Sequence, residues 1–262
     1  MKKIFLPAFG ILALFLLAVP VIAQKQVAMT ENSMVWSSKS KQAKKLTATG
    51  IFHIMNSENE QAYQDFQAAV ESDAGFSVAL AFLANLSRGE IKKSFAQRAQ
   101  ASAASKTEGE KLLASLTGEK STQESARETW AKLHNLYSND PVIGHFYVVT
   151  RATPEEQFTA AKAYNEKYPE EPAMYNMLGY YYMLDKKDNA KAKESFEKYI
   201  QLYPEGANPY DSMGEFYLTT GDMANAEKYY KMALEIYPFT VSSIQALEKI
   251  TAEKKKTEKK EN

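Results

Sequence analysis

Apolar and polar positions alternate along this chain with a helical period, in paired runs separated by short turns. In Ala207–Pro238, Tyr210, Met213, Gly214 and Tyr217 fall at i, i+3, i+4 and i+7, one face of a helix. Ala226, Tyr230 and Ala233 lie on one face of a second helix, and Thr220-Gly221-Asp222 is the turn between them. Pro238 has no backbone N–H to donate and ends the second helix. A glycine inside a helix costs about 0.5–1 kcal/mol relative to alanine. Gly214 and Ala226 are therefore read as the small residues at which two helix backbones cross closely, with Tyr217 and Tyr230 filling the space around the contact.

The same pattern stands one unit upstream, in Ala173–Pro204. Tyr175, Leu178, Gly179 and Tyr182 form its first face, and Ala192, Phe196 and Tyr199 its second. Gly179 to Gly214 is 214 − 179 = 35 positions and Pro204 to Pro238 is 238 − 204 = 34, so one extra residue sits in the turn Asp185-Lys186-Lys187-Asp188. A third unit begins near residue 43, where Leu46, Gly50, Ala62, Phe66 and Ala69 keep the same relative positions. It departs from the pattern at His53 and Ala74. A period of about 34 residues is that of helix–turn–helix arrays, in which several units stack to bury one continuous core.

Between these units the periodicity predicts degenerate pairs at Ala74–Ser87 and Glu90–Ala104, Thr107–Leu116 and Thr122–Tyr137, and Val142–Thr150 and Pro154–Lys167. Trp36–Met55 reads as the first helix and Glu58–Glu71 as its partner. Thr240 to about Glu253, with Val241, Ile244, Leu247 and Ile250 spaced by three, reads as a capping helix. Gln24–Val35 is expected to be a flexible leader and Lys254–Asn262 a charged, disordered tail. No segment alternates strictly between turn signals, so there is no competing strand reading. The expected architecture is all-α, a right-handed superhelix of about six helix pairs with a terminal helix.

Tyr210, Met213, Gly214, Tyr217, Ala226, Tyr230, Ala233 and Pro238 resemble, in order and spacing, the tetratricopeptide repeat. The resemblance spans about residues 43–240. It is closest over 173–240, looser over 43–76, and loosest between. It implies a superhelix that binds a protein or peptide, and it identifies no particular partner. It also implies where binding would occur, since such arrays present positions two, five, nine and twelve of each unit to a concave groove. In the two C-terminal units these are Ala173, Asn176, Tyr180 and Met183, then Asn208, Asp211, Glu215 and Leu218. Relatives that grip a C-terminal carboxylate place cations and asparagines there. Asp211 and Glu215 argue against such a clamp in this chain. The expected partner-binding set is Asn176, Tyr180, Met183, Asp211 and Glu215, with Tyr180 as an aromatic anchor and the carboxylates favouring a basic residue on the partner.

Charge sharpens this expectation. The chain of 262 residues balances 32 Lys and Arg against 32 Asp and Glu, so no general affinity for nucleic acid or anionic membrane follows. The balance is uneven, however: Ala152–Thr240 holds 9 lysines and no arginine against 15 carboxylates, 9 − 15 = −6. Either these carboxylates are solvated outer faces or they make an acidic groove.

Met1–Ala23 reads as a secretory signal. Lys2 and Lys3 form its charged start, Ile4–Val19 its apolar stretch, and Val21-Ile22-Ala23 a small-residue cleavage site before Gln24. Its form is bacterial, which would place the mature chain in the periplasm. The alternative is an uncleaved anchor, since Ile4–Ala23 approaches the ~20 residues that span a bilayer; Pro7, Gly10 and Pro20 argue for removal. The absence of cysteine excludes disulfides, thiol chemistry and a lipid-modified N-terminal cysteine.

The chain shows no nucleophile motif, no Gly-rich phosphate loop and no paired histidines. His53, His134 and His145 lack partners at metal-ligand spacing, and His53 reads as a packed residue standing in for a core aromatic. No cofactor and no metal site are expected. Two function classes remain: a periplasmic interaction module or scaffold, or an accessory or regulatory subunit of an envelope enzyme or transport complex.

Overall fold

The computed structural model describes residues 32–119 and 121–261. The signal segment expected at Met1–Ala23 lies outside them, as does most of the leader. Among the described residues every regular element is helical. Six antiparallel pairs follow in order: α1 (Lys41–Met55) with α2 (Asn59–Ser72), α3 (Ser77–Leu86) with α4 (Gly89–Ala103), α5 (Glu108–Ser115) with α6 (Gln123–Leu136), α7 (Pro141–Val149) with α8 (Pro154–Lys167), α9 (Ala173–Tyr181) with α10 (Asn189–Leu202), and α11 (Ala207–Thr219) with α12 (Met223–Ile236). The long α13 (Val241–Glu261) completes the all-α solenoid.

The turns carry the signals that define these ends. Side chains of Ser40, Thr107, Asp140, Thr153, Asp188 and Asp222 accept from backbone N–H groups of the first turn of the helices they precede. Tyr168, Tyr203 and Tyr237 end α8, α10 and α12 in non-helical conformations. Each precedes a proline, whose ring disfavours the helical region for the residue before it.

Three helix glycines sit under aromatic rings. A Cβ on Gly179 would meet the Phe196 ring at 2.6 Å, and one on Gly214 the Tyr230 ring at 2.8 Å. Gly50 faces Phe66 in the same way, at 2.9 Å. The separations are 66 − 50 = 16 and 230 − 214 = 16, but 196 − 179 = 17. The extra residue is absorbed by a π-helical turn, Tyr182–Lys186, closed by Lys187 in the left-handed region (φ 55°).

Three segments differ from the sequence expectation. The first helix starts at Lys41, not Trp36. Residues 33–39 run without regular structure, and Ser40 caps α1. The described end of the leader is packed: Met34 is 2% exposed and shares a cleft with Ile51, Phe82, Leu113 and Ile143. Its N–H donates to Asp140 Oδ2 (2.9 Å), while Ser37 Oγ donates to the buried Glu110 (2.9 Å) and Ser38 Oγ to Asp73 (2.6 Å). Those long-range bonds replace the i→i−4 bonds that a helix would have given this segment. At the other end α13 runs on to Glu261, through the stretch expected to be a tail. Lys, Glu and Ala are strong helix formers, and Lys256 pairs with Glu253 one turn away.

Candidate functional site

α9 and α11 occupy equivalent places in adjacent units and bring the expected groove residues together. Tyr180 Oη donates to Glu215 Oε2 at 2.7 Å. The Tyr180 ring stands edge-on to Phe196, and burial raises its hydroxyl pKa. Asn176 lies one turn before Tyr180, half-buried, and its Oδ1 has no hydrogen-bond partner. Glu215 is exposed.

Met183 and Asp211 do not belong to this surface. Met183 is 3% exposed and packs with Ala192, Phe196, Met213 and Phe216. It lies inside the π turn, whose wider i→i+5 closure shifts the register after Tyr181 and carries this side chain into the core. Asp211 is 7% exposed and accepts from Ser242 Oγ (2.9 Å) and Ser243 Oγ (2.5 Å) of α13. The capping helix therefore covers it, and burial raises its pKa. The groove that remains is Asn176, Tyr180 and Glu215.

A second constellation, missed in the sequence, lies where the array curls back on itself. Glu58, in the α1–α2 turn, is 8% exposed and accepts from Tyr203 Oη at 2.6 Å, across 145 positions. Phe52 meets the Tyr203 ring edge-to-face at 4.9 Å, and the Tyr237 hydroxyl donates to Glu60. His53 does not pack as a core aromatic: its Nδ1 lies 2.8 Å from Asp65 and its Nε2 3.9 Å from Glu58. Phe52, His53, Glu58, Tyr203 and Tyr237 line a cavity of about 320 Å³. Its two sides come from opposite ends of the chain, which no local spacing in the sequence connects. The one local signal was His53 in place of an aromatic.

Among the described residues no three His, Asp or Glu side chains gather as a metal site, and no helix is long and apolar enough to cross a membrane.

The model of the tetratricopeptide repeat family matches residues 172–205 and 207–240, the two units that build the groove. Those two units match the tetratricopeptide repeat. Its solenoid is similar to a chain in the crystal structure of the APC/C hetero-tetramer Cut9–Hcn1, with a TM-score of 0.51 at 17% identity. That match covers 80% of this chain and 42% of the other, so the chain spans under half the length of that neighbour. PilF of Pseudomonas aeruginosa (TM-score 0.46, 15% identity) is matched over 81% of this chain and 98% of its own. The type IV pilus biogenesis factor PilW (0.47, 14%) is matched over 79% and 99%. At 17% identity the likeness to the Cut9–Hcn1 chain is one of fold. No curated protein matches the sequence.

Proposed function

We propose that the protein is a non-catalytic scaffold of the bacterial periplasm that holds a segment of a partner protein against α9 and α11. The observation that carries this reading is the row Asn176, Tyr180 and Glu215 on the first helices of two adjacent repeats. Asn176 is half-buried on this row, and the exposed part of its side chain offers a polar contact to the backbone of an extended segment. The exposed Glu215 favours a basic residue beside it.

The Tyr180 ring packs on Phe196, so its removal would confuse binding with folding. The test is therefore Asn176→Ala combined with Glu215→Lys, in a pull-down from periplasmic extract. Partner recovery is expected to fall while helicity and Tm stay within error of the parent. Equal recovery from the double variant and the parent would reject this groove.

Secretion belongs to the same reading and rests on the Lys2-Lys3 start, the apolar run and the Val21-Ile22-Ala23 motif. N-terminal sequencing of the protein from the periplasmic fraction should begin at Gln24. An intact Met1 in the membrane fraction would show an uncleaved anchor instead.

A further inference from the structure

We propose that the cavity between the α1–α2 turn and the last two repeats is a binding site for an organic cation, a guanidinium or an ammonium group. It is separate from the groove of α9 and α11.

The wall chemistry selects this class. Phe52, Tyr203 and Tyr237 present aromatic rings to the cavity, and Glu58 and Glu205 present carboxylates; among the described residues no lysine or arginine lines it. Its volume of about 320 Å³ admits one long side chain or a small amine. Aromatic walls with carboxylates attract a cation twice, through the ring quadrupole and through charge. A planar guanidinium satisfies both, since it stacks on rings and forks onto a carboxylate.

The charges already present leave room for one more cation. Among the described residues His53 is the basic group facing Glu58, and its Nε2 stops at 3.9 Å, beyond hydrogen-bond range. Its other nitrogen is committed to Asp65 at 2.8 Å, so any positive charge on His53 is matched there. Glu58 keeps neutral donors, Tyr203 Oη and the Ala207 backbone, as its short-range partners. At the rim Glu205 is exposed and makes no ion pair among the described residues. An anion entering this space would meet Glu58 and Glu205; a neutral apolar group would leave a buried carboxylate uncompensated.

Burial raises the Glu58 pKa, with Tyr203, His53 and the Ala207 backbone opposing and Glu205 adding to the rise. A cation at its carboxylate reverses that balance, so binding should release protons and tighten as pH rises. Because the two walls come from opposite ends of the array, an occupant also ties those ends together.

The probes are agmatine, as a free small cation, and the blocked tripeptide acetyl-Gly-Arg-Gly-amide, as a side chain on a protein. Acetyl-Gly-citrulline-Gly-amide is the neutral isostere. Calorimetry on the full chain in buffers of different ionisation enthalpy reads affinity and proton release together. At least one arginine-type probe is expected to bind, with the citrulline peptide at least about tenfold weaker. Tighter binding of agmatine identifies a free ligand; tighter binding of the peptide identifies a protein side chain. Glu58→Gln should weaken binding by about tenfold or more and abolish the proton release, and Glu205→Gln should weaken it a few-fold. Equal affinity for arginine and citrulline peptides, or no binding of either cation at millimolar concentration, overturns the proposal. So does unchanged affinity in a folded Glu58→Gln variant. Should that variant not fold, unchanged affinity in Glu205→Gln decides the same way. The pull-down with Asn176→Ala and Glu215→Lys reads the other surface, so either result stands without the other.

Discussion

A single ring of His145 shows how far burial alone can move chemistry at the residue scale. The side chain is 6% exposed, its Nδ1 has no partner, and burial pushes its pKa down to about 3. In the unfolded chain the imidazole titrates near its usual 6.5. Between those values the unfolded state holds a proton that the folded state does not, so stability falls as pH drops below 6.5. The slope is about 1.4 kcal/mol per pH unit. His145→Leu should remove that acid slope, and urea denaturation at pH 7 and pH 5 will measure it. At pH 7 the change should be within about 1.5 kcal/mol, because the volume is nearly kept and an unpartnered polar atom is lost. An acid slope undiminished in the variant would show that another group causes it. The glycines act at the same scale. Gly179 and Gly214 accept the helix-interior penalty because Phe196 and Tyr230 occupy the space a Cβ would need.

At the scale of elements, the segment from Ser33 to Ser40 behaves as an extended strap. It ties α1 to the C-terminal end of α2 and to the N-terminal ends of α5 and α7 through Asp73, Glu110 and Asp140. Gly109 makes room for it, since a Cβ there would lie 2.8 Å from Met34 Cγ and equally close to Tyr137. Met34→Ala should cost about 2–5 kcal/mol, the range for truncating a buried methionine. Chemical denaturation gives that number, and limited proteolysis should cut the variant's strap faster than the parent's. A loss under about 0.5 kcal/mol, that of an ordinary surface substitution, would place Met34 outside the core.

For the whole molecule, the contact of Glu58 with Tyr203 closes the array on itself. Repeat arrays are stabilised mainly by neighbouring units, so their ends fray independently unless a long-range contact couples them. Tyr203→Phe keeps the ring against Phe52 and removes only the donor to a buried carboxylate. The expected cost is about 1–3 kcal/mol, that of leaving a buried acceptor unsatisfied. Hydrogen exchange should show the α1–α2 pair losing more protection than α5 and α6. Uniform loss along the chain would show that the closure does not hold the first pair.

The helix pairs were legible in the sequence because each rests on a local rule: a 3.6-residue period, a capping side chain, a glycine under an aromatic ring, a proline after the last turn. Pro154–Lys167 matches residue for residue, and the 35-position step from Gly179 to Gly214 revealed the extra residue. Local rules could not say how that residue would be accommodated. A loop and a π turn satisfy the same spacing, and the π turn carried Met183 inward. They were equally silent on Asp211, which reads as a groove residue until Ser242 and Ser243 of α13 are brought against it. The strap and the closure cavity depend on pairs 106 and 145 positions apart, Met34 with Asp140 and Glu58 with Tyr203. Those contacts follow from the accumulated rotation of unit upon unit. That rotation is set by packing at every interface, so only the tertiary structure decides which distant side chains meet.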